Sequence, residues 1–540
     1  MSGGFRSRSK SGDQERTPQG GKRDAGGRKN ADRKGQCGGG RRGGNQRGGN
    51  QRANQRGGGQ GRGPQRRQGQ RGEQDFFRAA RGAGVDLPRA VAFHVIERVA
   101  SDDAFANLIL PKVLREQKLT GRDAAFATEI TYGALRTEGV LDEVIAACSS
   151  RELDGISPVV LTALRLGTYQ LLYTRVEPHA AVDTTVRLVE ACGQEKAKGF
   201  ANGIMRTITR TPVTEWFEKL APGGEIASVA FKHAHPEWIA QSFARVVGSE
   251  ELEAALAADS DRPIVHLVAR PGEISAEELA LITGFEEGKY SPYAVYMDHG
   301  DPGALDPVRE GLAAVQDEGS QLIARAVTEA PVEGEDHGRW LDLCAGPGGK
   351  AALMGAIARI EGSTVDAVEV SPHRAALIEK TVRDLPVTVH VADGRSPGLE
   401  PGYDRVLVDA PCSGLGALRR RPEARWRKKE SDVLELTSLQ KELLTSALSL
   451  VRPGGVVIYS TCSPDLRETR EVVDAVVAAT GVEELDGRSL IPDMGNVGGE
   501  LSVQMWPHRH GTDAMFFAVL RRPLEAEASG SEQSSTDATE

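Results

Sequence analysis

Between residues 339 and 520 short apolar runs alternate with helix-length stretches, and this alternation constrains the fold of the 540-residue chain more than any other feature. The runs are WLDLC (340–344), VDAVEV (365–370), VTVHVAD (387–393), YDRVLVDA (403–410) and GGVVIYSTC (454–462). Largely continuous apolar character is the pattern of strands covered on both faces, and parallel strands need crossover helices between them. Helices fit at 350–359, 372–384 and 434–450. The pattern predicts an α/β, doubly wound, Rossmann-like sheet over 329–522. Ligands of such sheets gather at the carboxyl ends of the strands, so the residues that close each run are the candidates for function.

The first turn, DLCAGPGGK (342–350), is rich in glycine and opens a helix, so a polar or anionic group can approach its backbone closely. A nucleotide P-loop needs glycine five residues before the Gly-Lys pair and a hydroxyl after it; Cys344 and Ala351 stand there, which argues against ATP. The dinucleotide spacing G-x-G-x-x-G is absent as well. Glu369 closes the second run where a ribose-binding acid would stand, and Asp393 closes the third. That order suits adenosine without a pyrophosphate, as in S-adenosylmethionine, although a structural Glu at a strand end is about as common as a ribose ligand.

The fourth run ends in DAPCSG (409–414) and the fifth in YSTCSP (459–464), so Asp409, Cys412 and Cys462 are expected at one sheet edge. Cytosine C5 is too weak a nucleophile to take a methyl group until another nucleophile has added at C6. A thiolate does this well, because it is nucleophilic near neutral pH and leaves again. An acid assists by hydrogen bonding N3 as the ring gains charge. One cysteine alone is more often a small buried hydrophobe; two at adjacent strand ends favour chemistry. Arg419, Arg420, Arg421 and Arg425 follow, with the flat face of Trp426, and are expected to hold RNA phosphates and a base.

Residues 1–72 carry 19 Lys+Arg against 4 Asp+Glu, a net +15, so with −9 overall the remaining residues carry −24. A disordered cationic arm over 1–75 is expected to bind RNA by counterion release; a solubilising extension is the plainer alternative. Apolar residues at helical spacing through 87–220 predict an all-α domain over 85–222. A small mixed α/β subdomain is expected over 230–328, with a helix at 235–248, a strand at 263–272 and a helix starting near Asp317. The acidic segment 523–540 is expected to be disordered. Six cysteines without a C-x-x-C pair, no signal peptide and no run of 18 apolar residues point to a cytoplasmic protein free of the membrane. His508 and His510 are read as surface or RNA-facing rather than metal ligands, no metal is expected, and a monomer is the expectation.

LDLCAGPGGK, VLVDAPCSGLGALRRRPEARW and IYSTCSPDLRET together resemble the RsmB-type RNA cytosine-C5 methyltransferases of the Nop/Sun family, over about 87–520. The segments RDAAFATEITYGALR, ALRLGTYQLLY, PHAAVDTTVRLV and KGFANGIMR resemble the NusB-type RNA-binding helical domain, which in that family points to the bacterial small-subunit ribosomal RNA enzyme. The resemblance implies Cys462 as the nucleophile on C6, Cys412 as the thiol that helps release the product, and Asp409 as serving both the base and the cofactor. It implies S-adenosylmethionine held by Cys344, Ala345, Gly346, Pro347, Gly348, Gly349, Lys350, Glu369, Arg374, Asp393 and Asp409. Arg165, Tyr169 and Asn202 are either RNA contacts or hydrogen-bonded braces of the bundle. Three positions depart from the family: Arg467, Glu468 and Thr469 where an acidic pair and Asn are usual, Ala514 and Met515 where Gly-Phe is common, and 268–270, which lacks a usual Asn. The same chemistry on tRNA, or a non-catalytic RNA-binding assembly factor, remain the other readings.

Overall fold

The structure, a computed structural model, describes residues 65–102 and 104–524. The greater part of the cationic arm and the acidic tail therefore lie outside the described residues. The expected boundary of the arm at residue 75 is corrected, since helix α1 spans Gln65–Gly82. Phe77 and Ala80 anchor it, both buried, and the ring of Phe76 stacks on Phe93 at 5.4 Å between centroids.

Among the described residues eight further helices follow in the front domain: α2 (Leu87–Asp102), α3 (Ala106–Glu116), α4 (Gly121–Arg136), α5 (Glu138–Cys148), α6 (Pro158–Tyr173), α7 (Pro178–Ala191), α8 (Lys198–Ile208) and α9 (Val213–Leu220). Pro158 and Pro178 open α6 and α7 at the position where a missing N–H costs nothing. Apolar residues three and four apart meet in one core, including Val91, Val95, Ile130, Leu164 and Leu188. Close approach of α4 and α6 needs Gly133, because a side-chain carbon there would stand 1.9 Å from the Tyr169 ring. Tyr169 donates to Glu129 at 2.7 Å, and Arg165 donates to both oxygens of Asp142 at 2.7 and 2.6 Å and lies 2.8 Å from Glu138. Both side chains brace helices against each other and are occupied there; Asn202 is half-buried on α8.

Two helices, α10 (Glu225–Lys232) and α11 (Glu237–Ser260), lead into the middle segment. Gly248 breaks α11 with φ 77°, the place where the sequence pattern ends a helix. A small antiparallel sheet follows, formed by β1 (Val265–Ala269), β2 (Glu286–Glu287), β3 (Ala294–Met297) and β4 (Ala313–Val315) in the order β2-β3-β1-β4, with α12 (Ala276–Thr283) and the short α13 (Asp306–Arg309) beside it. Helix α14 (Glu318–Glu329) starts at the Asp317 cap, which accepts the Gly319 N–H at 3.0 Å. It then buries Leu322, Ile323, Ala326 and Val327 against the large sheet.

The five expected parallel strands are β5 (Arg339–Asp342), β6 (Thr364–Glu369), β7 (Val387–Val391), β8 (Tyr403–Asp409) and β9 (Val451–Thr461). Between them run α15 (Gly349–Glu361), α16 (Pro372–Thr381), α17 (Ala424–Arg427) and α18 (Glu430–Leu450). The sheet is wider than the sequence reading. After α19 (Arg470–Thr480) come β10 (Glu483–Leu485), β11 (Val503–Gln504), α20 (Pro507–His510) and β12 (Phe516–Arg521), and the order is β10-β12-β9-β8-β5-β6-β7 with β11 also on β12. β12 runs antiparallel to β9, while β5 to β9 are parallel. The α/β doubly wound fold after an all-α domain is therefore borne out. Val406, Leu407 and Val408 are fully buried at its centre, each contributing about 1.5–3 kcal/mol of burial. Among the described residues no helix is long and apolar enough to cross a membrane.

Candidate active site

The glycine turn links β5 to α15 and is held on both sides by the sheet: Leu343 N–H donates to the Leu407 carbonyl and Ala345 N–H to the Val368 carbonyl, each at 2.9 Å. Gly348 sits at φ 111°, which only glycine adopts freely. Gly346 is required for another reason, since a side-chain carbon there would lie 1.9 Å from Glu369 Oε2. The buried Glu369 carboxylate, at the end of β6, thus rests directly on the turn, and its Oε1 accepts the Ser371 N–H at 2.8 Å. Arg374 reaches the same place, donating to the Gly346 carbonyl with its other terminal nitrogen 3.5 Å from Glu369. Asp393 lies half-exposed beyond β7, clasped by Arg395 at 2.6 Å, which holds its carboxyl down at about 2. Its neighbour Gly394 packs against the Leu343 carbonyl.

Acid groups crowd this turn. Burial and the charge of Asp409 push the Asp342 carboxyl up to about 7, with Lys350 acting against them. Oδ2 of Asp342 is buried and has no hydrogen-bond partner among the described residues. Burial, with Asp342, Asp409 and Glu369 adding to it, pushes the Cys344 thiol far up, so this sulfur stays protonated. Lys350, in the first turn of α15, donates to Asp409 Oδ2 at 2.7 Å; burial disfavours its charge, but the Asp409 contact outweighs that and raises its pKa. Asp409 Oδ1 accepts from Ser460 Oγ at 3.0 Å. One carboxylate therefore joins the glycine turn, β8 and β9.

Beyond Asp409 the chain leaves the sheet, and beyond Thr461 it does so again one strand over. The two departures bring Cys412 Sγ and Cys462 Sγ to 3.4 Å. The loops are tied together, with Gly416 N–H donating to the Cys462 carbonyl and Ala514 N–H to the Gly416 carbonyl, each at 2.9 Å. The hydrogen bond shared with Cys412 lowers the Cys462 pKa against burial and Asp409, with help from Lys350. The same bond, with burial and Glu468, raises that of Cys412. The two opposite shifts favour a thiolate at Cys462 beside a thiol at Cys412.

Sequence reasoning missed the groups that hold these loops. Glu468 accepts the Ser413 N–H at 2.7 Å, and Gln440 Nε2 donates to the Pro411 carbonyl at 2.9 Å. Helix α11 packs Ile239 and Phe243 into the cluster that holds Leu415 and Leu418, and its Ser242 donates to Asp465 at 2.8 Å, so the middle segment braces both loops. The departures from the family pattern acquire definite surroundings. Arg467 pairs with Asp465 and Glu430; Thr469 donates to the Asp465 carbonyl at 2.9 Å and its side chain does not cap α19. Ala514 and Met515 are buried packing residues, and Arg270 reaches the Thr381 carbonyl at 3.4 Å.

The expected phosphate-binding run is corrected. Arg419 and Arg420 donate to Asp513 at 2.7 and 2.8 Å, and Arg420 to Asp317 at 2.7 Å. Arg425 is fully buried on Asp259, and Trp426 donates to the Arg136 carbonyl at 3.0 Å with its ring against Gly139. Each of these cations has an acid from a distant element, so the run ties the catalytic loop to the middle segment and to the helical domain; Arg421 is exposed. The histidines also turn inward. His510 accepts the Trp506 N–H at 2.9 Å, and His508, its side chain largely enclosed, lies 3.0 Å from Glu251. Among the described residues no group of three or more His, Cys, Asp or Glu could hold a metal ion.

Comparison with known proteins adds the following. The family model described as "16S rRNA methyltransferase RsmB/F" matches residues 328–521, and that of the "NusB family" matches 86–210. A putative methyltransferase of Mycobacterium tuberculosis is 54% identical over 451 residues, spanning 82% of this chain and 98% of the relative. Ribosomal RNA small subunit methyltransferase B of Cronobacter sakazakii is 32% identical over 444 residues, spanning 80% and 98%. The crystal structure of PH0851 shares the fold, with a TM-score of 0.70 at 21% identity over 81% of this chain and 99% of that one.

Proposed function

Because the chain belongs to the RsmB/F family of 16S ribosomal RNA methyltransferases, we propose that it methylates C5 of a cytosine in 16S ribosomal RNA through a covalent bond from Cys462 to C6. The observation that carries this reading is the pair of sulfurs 3.4 Å apart, beside the Lys350–Asp409 pair, at one sheet edge. Attack by the Cys462 thiolate forms the S–C6 bond and moves the C5=C6 electron pair toward C5. Lys350 and Asp409, donor and acceptor at 2.7 Å, are the acid available to N3 as the ring takes up charge. After C5 has taken the methyl group, release requires solvent water to take the C5 proton, the C–H pair to re-form C5=C6 and the S–C6 pair to return to Cys462. The Cys412 thiol, hydrogen bonded to that sulfur, eases its departure.

The methyl donor in this reading is S-adenosylmethionine, which supplies an electrophilic methyl group on a positively charged sulfur. The residues fit it: a glycine cradle that a side chain would fill, the unpartnered Asp342 Oδ2, and carboxylates at 342, 369 and 409 suited to a cation. Residues 344–350 would hold its amino-acid end through backbone N–H groups, Glu369 and Asp393 its ribose and adenine side, with Arg374 orienting Glu369. The helical domain and the cationic arm bind the RNA, and the enzyme acts as a monomer without a metal.

Mass spectrometry of ribosomal and transfer RNA from a deletion strain tests the reading. Loss of one 5-methylcytosine from 16S RNA, restored by the wild-type gene, is expected. Loss from tRNA alone would move the substrate, and unchanged RNA would leave an assembly role.

A further inference from the structure

Glu468 is fully buried, and among the described residues no cation is a hydrogen-bond partner of its carboxylate. Its Oε1 accepts from Ser413 N–H at 2.7 Å and from Gln440 Nε2 at 3.1 Å, and its Oε2 accepts from the Ser413 hydroxyl. Because Gln440 also donates to the Pro411 carbonyl at 2.9 Å, the residues on both sides of Cys412 are held from one carboxylate. The network reaches the other sulfur too. Ser413 Oγ lies 3.2 Å from the hydroxyl of Ser463, the neighbour of Cys462, and the Tyr459 hydroxyl donates to the Glu468 carbonyl at 2.7 Å.

We propose that Glu468 is the positioning residue that decides which of the two thiols acts as the nucleophile. The inference rests on the covalent reading above and deepens it. Two cysteines 3.4 Å apart can share one negative charge in either order, so something beyond their contact must choose. Asp409 and Asp513 oppose charge on Cys462 and Lys350 favours it, while Glu468 opposes charge on Cys412. Of the other titratable neighbours, Tyr459 and Cys344 stay protonated, because burial raises both. Glu468 thus acts on Cys412 and Lys350 on Cys462, and together they leave the proton on Cys412. Three donated hydrogen bonds fix the Glu468 carboxyl group in that place.

The test is the pH dependence of iodoacetamide labelling at each cysteine of the full-length protein, read by peptide mass spectrometry without RNA. In the wild type Cys462 labels at lower pH than Cys412. Glu468→Gln keeps an acceptor for Ser413 and removes the charge; the Cys412 profile should move down by roughly one pH unit and the Cys462 profile up. Methylation should fall roughly tenfold to a hundredfold in kcat with the KM for RNA unchanged. Ser413→Ala removes hydrogen bonds and keeps the charge, so the labelling order should persist even if Glu468→Gln folds poorly. Unmoved profiles in Glu468→Gln, or a reversed order in Ser413→Ala, would overturn the proposal. A wild type in which Cys462 does not label first would instead overturn the nucleophile assignment on which it rests.

Discussion

Arg425 donates to Asp259 at 2.8 Å with both side chains closed off from water, and its guanidinium also reaches the Ala234 and Asp259 carbonyls at 2.9 and 3.1 Å. This contact fastens the segment after the catalytic loop to α11. Removing one member of a buried pair strands the other, at a cost of about 3–5 kcal/mol. Arg425→Met is expected to lower the free energy of urea unfolding by that order while leaving RNA affinity and its salt slope unchanged at a temperature where the variant is folded. A loss of RNA affinity without a loss of stability would return Arg425 to the RNA-binding surface.

Trp426 and Gly139 form a second joint, between the same segment and α5. A side-chain carbon at Gly139 would stand 2.2 Å from the Trp426 ring, so Gly139→Ala must displace the indole from its place against the helical domain. Gly139→Ala crowds the ring, and Trp426→Ala removes both the ring and its hydrogen bond to the Arg136 carbonyl. Their effects on stability are expected to be non-additive by about 1–3 kcal/mol, because the double variant has no clash left to relieve. Strict additivity in the double-mutant cycle would show that the two residues do not touch.

Asp342 gives the protein a pH-dependent weakness. Its carboxyl titrates at about 7 in the folded chain, pushed up by burial and by Asp409, against about 4 for an unfolded aspartate. Between those values the folded state holds a proton that the unfolded state has lost, so stability from this group falls as pH rises through the window. Asp342→Asn removes the charge and is expected to raise unfolding free energy by on the order of a few kcal/mol at pH 8, with the gain shrinking toward pH 4. Thermal melts of both proteins at pH 5 and pH 8 check this. An equal difference at the two pH values would contradict it.

The parallel half of the sheet was legible because of its continuous apolar runs, and β5 to β8 begin and end within two residues of the expected ones, while β9 begins three residues earlier. The antiparallel edge was less so. β10 and β11 have three and two residues, too few to carry a period, although the FFAVLR run of β12 was long enough to be read. The meeting of Asp409, Cys412 and Cys462 followed from strand ends alone. What side chains do with their charge did not. Arg419 and Arg425 look in sequence like any nucleic-acid-binding run, and the acids that neutralise them, Asp513 and Asp259, lie 94 and 166 residues away. Gln440 and Glu468 stand in a helix and a short turn with no local mark of the loop they hold.

The covalent account meets its most direct test in the fate of Cys412→Ala incubated with 16S ribosomal RNA and S-adenosylmethionine. A protein–RNA adduct that survives a denaturing gel, with the RNA mapped by mass spectrometry to the peptide containing Cys462 and abolished in the Cys412→Ala/Cys462→Ala double variant, is the predicted result. Free turnover of Cys412→Ala without an adduct, or methylation that persists in Cys462→Ala, would contradict it.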